Sequence, residues 1–103
     1  MAKMRKKEAV FTHRAHLLVS GRVQGVGFRY TVEKIALEIG LLGWVRNLPE
    51  NRVEIVCEGT KENIELLTQK LKESSLGSNI KKIICTWGKP TLEFKDFCIE
   101  HYY

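Results

Sequence analysis

The sequence GRVQGVGFRY occupies residues 21–30 and joins an apolar run to an amphipathic helix pattern. Glycine adopts positive φ readily, so Gly21, Gly25 and Gly27 allow successive backbone N–H groups to turn toward one point. The start of a helix adds unpaired N–H groups and the positive end of the helix dipole. Arg29 adds a planar guanidinium that can donate to two oxygens of one anion. The stretch therefore predicts an anion-binding loop, although a tight connection without a ligand uses glycine in the same way.

Hydrophobic periodicity on either side of this stretch predicts the other elements. Alternating apolar residues predict strands over residues 14–20, 42–47, 52–58, 80–87 and 94–102. Apolar residues at helical spacing predict one helix that begins near Phe28 and ends at Gly40, and a second helix that Thr60 caps and residues 74–77 end. The turn at residues 48–51 predicts a tight hairpin, because Asn51 tolerates positive φ.

The order strand, helix, strand, strand, helix, strand is typical of the ferredoxin-like, or split βαβ, arrangement. We predict an α+β fold with a two-layer sandwich, in which two helices cover one face of a mostly antiparallel sheet of four or five strands. The last strand pairs at an edge or continues the fourth strand through a bend. Glu54 and Glu58 alternate with apolar residues in the third strand, which predicts that the face opposite the helices is partly exposed to solvent.

The chain has 103 residues and a net charge of +5, which fit one domain. Residues 1–13 carry four basic side chains and one acidic side chain, so they hold +3 of that charge and leave +2 for the rest. We predict a flexible basic tail over residues 1–13 and a single domain over residues 14–103. The nearly neutral domain is weak evidence for nucleic-acid binding, and no apolar run is long enough for a membrane helix. We expect a cytoplasmic protein.

The three cysteines, Cys57, Cys85 and Cys98, lie far apart inside apolar runs. No Cys-x-x-Cys pair and no histidine at metal-ligand spacing accompanies them, so a metal site is not predicted. Free cysteine is among the most buried residue types. We predict that all three are reduced core residues.

Two stretches of the chain, GRVQGVGFRY and IALEIGLLGWVRNLPENRVEIVCEG (residues 35–59), resemble the acylphosphatase family. The family hydrolyses carboxyl-phosphate mixed anhydrides, and the similarity is strong from Leu17 to Gly59 and looser as far as Tyr102. The resemblance implies that Arg29 binds the phosphate oxygens and that Asn47 orients the attacking water. It implies no metal or organic cofactor. It also implies that the backbone of one loop wraps the phosphate, namely Arg22, Val23, Gln24, Gly25, Val26, Gly27 and Phe28.

Two positions depart from the family pattern. Val32 replaces a frequent threonine, with Thr31 one place early, and Asn51 replaces the glycine of the hairpin. Neither position is expected to touch the reacting phosphate. We therefore expect these changes to tune stability or loop order and to leave activity in place.

Two other functional classes use similar features. An RNA-binding module has the same order of elements, but its signature belongs on the third strand, where this chain has glutamates in place of stacking aromatics. A module that binds phosphates or carboxylates without turnover would share the loop and differ at Asn47. The favoured interpretation is a monomeric hydrolase of a small-molecule acyl phosphate, with no nucleic-acid or membrane partner.

Overall fold

The structure is a computed structural model that describes residues 11–101. Residues 1–10, which make up most of the predicted basic tail, and residues 102–103 lie outside the described part of the chain. The strands are β1 (His13–Gly21), β2 (Leu42–Leu48), β3 (Arg52–Gly59), β4 (Ile80–Gly88) and β5 (Phe97–Glu100). The helices are α1 (Phe28–Ile39), α2 (Lys61–Glu73) and a short 3-10 turn at Gly77–Asn79.

The five strands form one sheet in the order β4-β1-β3-β2-β5. β1 pairs antiparallel with β3 and β4, β2 pairs antiparallel with β3, and β5 pairs parallel with β2. Both helices pack on the same face of this sheet, so the predicted ferredoxin-like sandwich is confirmed. Of the two placements left open for the last strand, the structure has the edge pairing.

The last strand is shorter than the prediction of residues 94–102. It begins at Phe97, because the preceding residues cross the sheet instead of pairing with it. The backbone N–H groups of Thr91 and Leu92 donate to the Glu58 carboxylate on β3, and Phe94 packs under the Arg14 guanidinium on β1. Residues 91–94 therefore contact the face of the sheet opposite the helices, called the open face below. The chain then pairs with β2 as the edge strand β5.

The core lies between the sheet and the two helices. On β1 and β3 every second side chain points toward the helices and is buried, as the alternation predicts. The core residues from these strands and from the helices are Ala15, Leu17, Val19, Val53, Ile55, Cys57, Phe28, Val32, Ile35, Ala36, Ile64, Leu67 and Leu71. Burial raises the pKa of the Cys57 thiol to about 12, so this thiol stays protonated.

The prediction that all three cysteines are core residues is wrong for two of them. Cys57 is buried, whereas Cys85 and Cys98 are exposed. Cys85 lies on β4 and Cys98 on β5, the two edge strands, each of which has a neighbouring strand on one side only. Cys98 also pairs in register with Trp44, on the face away from the helices. Strand-like sequence alone does not distinguish an edge strand from a central one.

Both helices begin and end where the sequence predicts. α1 ends at Gly40, whose φ of 93° is left-handed and whose N–H donates to the Ala36 carbonyl. α2 begins after Thr60, whose side-chain oxygen accepts from the Asn63 N–H at 3.0 Å. Within residues 11–101 no helix is both long enough and apolar enough to cross a membrane.

The open face of the sheet is less exposed to solvent than predicted. The Glu58 side chain is only 1% exposed, although it points away from the helices. Arg14 donates to its carboxylate at 2.9 Å, and the Thr91 hydroxyl donates at 3.0 Å. Burial alone would raise the pKa of Glu58, but these hydrogen bonds, together with two from backbone N–H groups, lower it below its ordinary value. The chain segment that precedes β5 covers this carboxylate.

Candidate active site

The loop between β1 and α1 contains two glycines with left-handed backbone conformations. Gly25 and Gly27 have φ values of 74° and 84°, in the left-handed region that glycine adopts without steric cost. A Cβ at either position would meet no atom within 4 Å. These two glycines are therefore required by the turn of the backbone, and the space beside them is open.

Several backbone N–H groups of this loop are without an acceptor in the part of the chain that the structure describes. Among the described residues, no N–H from Val23 to Gly27 donates to a backbone carbonyl. Gly27 is the N-cap of α1, and its first helical hydrogen bond runs from Thr31 N–H to the Gly27 carbonyl. The N–H groups of Phe28, Arg29 and Tyr30 come before this bond and have no acceptor within the helix, as at any helix start. The loop and the helix dipole together favour an anion here.

Gln24 fixes the loop against the β2–β3 hairpin. Its side-chain amide donates to the backbone carbonyls of Leu48 at 2.5 Å and Arg52 at 2.9 Å, the residues on either side of the turn. The turn itself has positive φ at Asn51, as predicted, and also at Glu50, which the sequence did not indicate. Because Gln24 holds both segments, the loop lies at a fixed place relative to the end of β2, which carries Asn47.

The loop, the start of α1 and the end of β2 enclose a cavity of about 210 Å³. Its lining residues are Val23, Gly25, Gly27, Phe28, Arg29, Tyr30 and Asn47. The side-chain oxygen of Asn47 is buried and has no hydrogen-bond partner among the described residues. Buried acceptors are paired in the great majority of cases, so an unpaired one at a cavity marks a place for a donor from outside the chain.

Arg29 supplies the positive charge of this cavity. Its side chain is partly exposed and forms no hydrogen bond or ion pair with the rest of the described chain. Of residues 11–101, no Asp, Glu, His, Lys or Cys lines the cavity. The guanidinium is therefore available to a ligand, and no acidic neighbour neutralises it inside the cavity.

The structure brings together most of the residues predicted from the sequence. Val23, Gly25, Gly27 and Phe28 line the cavity with Arg29 and Asn47, which lie 18 positions apart in sequence. Gln24 and Val26 belong to the loop, but their side chains do not line the cavity. Tyr30 lines the cavity and was not predicted to do so, although its place directly after Arg29 in the first helical turn was a usable signal.

Arg22 lies apart from this group. Its side chain is exposed and lines a separate groove of about 480 Å³ with Gly21, Glu50, Asn51 and Lys81. Its backbone N–H donates to the Asn79 carbonyl at 2.9 Å, so that N–H does not face an anion in the loop. A phosphate contact from the backbone of Arg22 is therefore not available in this conformation.

The arrangement can hold a tetrahedral anion and a water side by side. Unpaired N–H groups and a guanidinium are donors suited to phosphoryl oxygens. The unpaired Asn47 oxygen accepts a hydrogen bond, which a water can donate and a fully ionised anion cannot. Within residues 11–101, no three His, Cys, Asp or Glu side chains are grouped as a metal site requires.

Comparisons with known proteins agree with this geometry. The family model described as Acylphosphatase matches residues 15–99. A protein named acylphosphatase from Marinobacter nauticus is 44% identical over 89 residues, which cover 86% of this chain and 97% of that protein. One from Thermus thermophilus is 47% identical over 72 residues, covering 70% of this chain and 82% of that protein. The crystal structure of acylphosphatase from Bacillus subtilis superposes with a TM-score of 0.79 at 35% identity, covering 85% of this chain and 98% of that one.

Proposed function

This chain belongs to the acylphosphatase family and is a hydrolase of acyl phosphates, and we propose that its loop amides, Arg29 and Asn47 carry the reaction. The phosphoryl group lies in the cavity against the backbone of residues 23–28 and the first turn of α1. Arg29 donates to the phosphoryl oxygens. Asn47 accepts a hydrogen bond from the water that attacks phosphorus.

The unpaired oxygen of Asn47 is the observation that supports this proposal most strongly. A site that only holds a phosphate or carboxylate needs donors, and a buried acceptor pointing at the anion would weaken binding. A water needs an acceptor, which fixes its orientation for attack. This observation favours hydrolysis over the alternative of a binding module without turnover.

The chemistry requires little covalent help from the protein. Water oxygen forms a new bond to phosphorus, while the bond from phosphorus to the acyl oxygen breaks and a carboxylate leaves. Charge on the phosphoryl oxygens is stabilised by the loop N–H groups and Arg29. Because the described residues place no carboxylate or imidazole in the lining of the cavity, we propose that a phosphoryl oxygen of the substrate accepts the proton of the water. The products are a carboxylate and inorganic phosphate.

No metal or organic cofactor has a part in this mechanism. We also propose that the protein acts as a monomer in the cytoplasm, on a small molecule and without nucleic acid. Its free cysteines fit a reducing compartment, and two of them are exposed. On β3, Glu54 and Glu58 occupy the places where an RNA-binding sheet presents aromatic side chains, and both carboxylates are engaged by arginine.

Phosphate release from benzoyl phosphate by the purified full chain tests the proposal. We expect turnover that excess EDTA leaves unchanged. We expect Arg29→Ala to lower kcat/KM about a thousandfold, the scale of losing an arginine that stabilises phosphoryl charge. The matched control is Lys34→Ala, which removes an exposed cation from the same helix. Both variants should unfold at the temperature of the wild type within a few degrees, because Arg29 has no hydrogen-bond or ion-pair partner among residues 11–101.

Two results would contradict the proposal. Turnover by Arg29→Ala at the level of Lys34→Ala would exclude the guanidinium from the reaction. Absence of phosphate release by the folded wild type, with inorganic phosphate still bound, would instead identify a binding module.

A further inference from the structure

Among the described residues that line the cavity, Tyr30 has the most exposed side chain. Its side chain is 66% exposed, whereas Val23 and Phe28 are each 1% exposed. Side chains of an α-helix lean toward the helix N-terminus, so the ring of Tyr30 covers the turn that precedes it. That turn contains the unpaired N–H groups. Tyr30 therefore stands at the mouth of the cavity, and the polar groups lie further in.

The size of the cavity limits how much of a substrate it can enclose. One water takes about 30 Å³ of liquid, so a cavity of 210 Å³ has room for roughly seven. A phosphoryl group, the attacking water and the carbonyl next to phosphorus account for that space. A group as large as benzoyl, together with the phosphoryl group and the attacking water, exceeds this space, so part of it extends to the mouth, where Tyr30 lies.

The chemistry of the mouth indicates what kind of acyl group it suits. Within the described part of the chain, Arg29 alone contributes a charged side chain to the lining of the cavity, and in the proposed function it binds the phosphoryl oxygens. An acyl group at the mouth of the cavity therefore meets the aromatic ring of Tyr30. Flat apolar groups pack on the face of such a ring, and the contact excludes water from both.

We propose that Tyr30 makes this enzyme favour acyl phosphates with an aromatic or extended apolar acyl group over short ones. The inference rests on the proposed function, since it places the phosphoryl group at Arg29 and the acyl group at the mouth. The acyl contact is the same before and during bond breaking. The preference therefore acts through KM and leaves kcat nearly constant.

The test compares benzoyl phosphate with acetyl phosphate in four proteins: wild type, Tyr30→Ala, Tyr30→Phe and Leu37→Ala. Leu37 is a matched control, because it is 52% exposed and lies about two turns further along α1. The readout is the kcat/KM ratio of the two substrates within each protein, so their different intrinsic reactivities cancel between proteins. We expect Tyr30→Ala to lower the ratio about tenfold, through KM for benzoyl phosphate. Tyr30→Phe and Leu37→Ala should keep it within twofold.

A ratio that Tyr30→Ala leaves within twofold of wild type would overturn the inference. So would an equal loss in Tyr30→Phe, since the hydroxyl and not the ring would then be responsible. Competitive inhibition by inorganic phosphate separates this inference from the proposed function. Phosphate has no acyl group, so its inhibition constant should rise in Arg29→Ala and stay unchanged in Tyr30→Ala. If Arg29→Ala changed neither inhibition nor turnover, this result would contradict the proposed function itself, whatever the result for Tyr30→Ala.

Discussion

The open face of the sheet and the cavity at its end both contain polar side chains from strands. These side chains differ in whether they are hydrogen-bonded within the described chain. On the open face, Glu58 receives hydrogen bonds from a guanidinium, a hydroxyl and two backbone N–H groups. Glu54 receives one from Arg46 at 2.7 Å and makes another with the His16 ring at 2.6 Å. In the cavity, the Asn47 oxygen is buried and unpaired, and the neighbouring N–H groups have no backbone acceptor within the described chain.

This difference separates structural polar groups from functional ones. A buried carboxylate with a full set of donors holds the segment that crosses the sheet, and it has no remaining capacity for a ligand. An unpaired buried group costs free energy in the empty protein, which a suitable ligand or water recovers. The comparison predicts that substitutions on the open face change stability and that substitutions in the cavity change turnover.

The largest effect on stability is expected for Glu58→Ala. This substitution leaves the Arg14 guanidinium and the N–H groups of Thr91 and Leu92 without their acceptor, which should lower the free energy of unfolding by about 3 kcal/mol. Glu58→Gln keeps an acceptor and should cost less. Urea unfolding measures the change, with the exposed Glu38→Ala as the control. If kcat per folded molecule also fell more than threefold, the two regions would not be independent.

Asn47→Ala should show the reverse pattern. Removing one group that acts in the transition state typically lowers kcat by about a hundredfold, or roughly 2.7 kcal/mol. No hydrogen bond within the described chain depends on the Asn47 oxygen, so the free energy of unfolding should stay within about 1 kcal/mol of wild type. Asn63→Ala on α2 serves as the control. A rise in KM with unchanged kcat would assign Asn47 to substrate binding and not to water positioning.

The smallest effect is expected from acidification. Burial acts to raise the pKa of both Glu54 and Glu58, but hydrogen bonds from their partners outweigh it and the pKa of each lies below the ordinary 4.5. Such groups stabilise the fold fully above about pH 4.5, and this contribution is lost as pH falls through the lowered pKa of the folded state. Urea midpoints from pH 7 to pH 3 should therefore decline at the acid end. A Glu58→Gln variant with the same decline as wild type would exclude Glu58 as a source.

Local sequence signals predicted the elements that depend on local chemistry. The glycine cap at Gly40, the threonine cap at Thr60 and the positive φ of Asn51 each follow from the preferences of one residue type, and the structure has all three. The placement of Arg29 and Asn47 around one cavity was implied by the family resemblance. The spacing of these two residues in the sequence does not by itself show that the start of α1 lies beside the end of β2.

Features that depend on long-range contacts were not predictable in this way. The burial of Glu58 requires residues 91–92, more than 30 positions later, to cross the open face. The exposure of Cys85 and Cys98 depends on which strands occupy the edges of the sheet. The role of Gln24 as a tie to the hairpin needs the turn at residues 49–51 to lie beside the loop. None of these relations leaves a periodic pattern in the sequence.

Titration of the isotope-labelled protein with inorganic phosphate, followed by NMR of its backbone amides, tests the central claim most directly. The account predicts saturable shifts of the N–H signals of residues 23–30, larger than those of the open face, and their loss in Arg29→Ala while Lys34→Ala retains them. Saturable shifts centred on β3 and the segment that crosses it, with the loop signals unmoved, would contradict it.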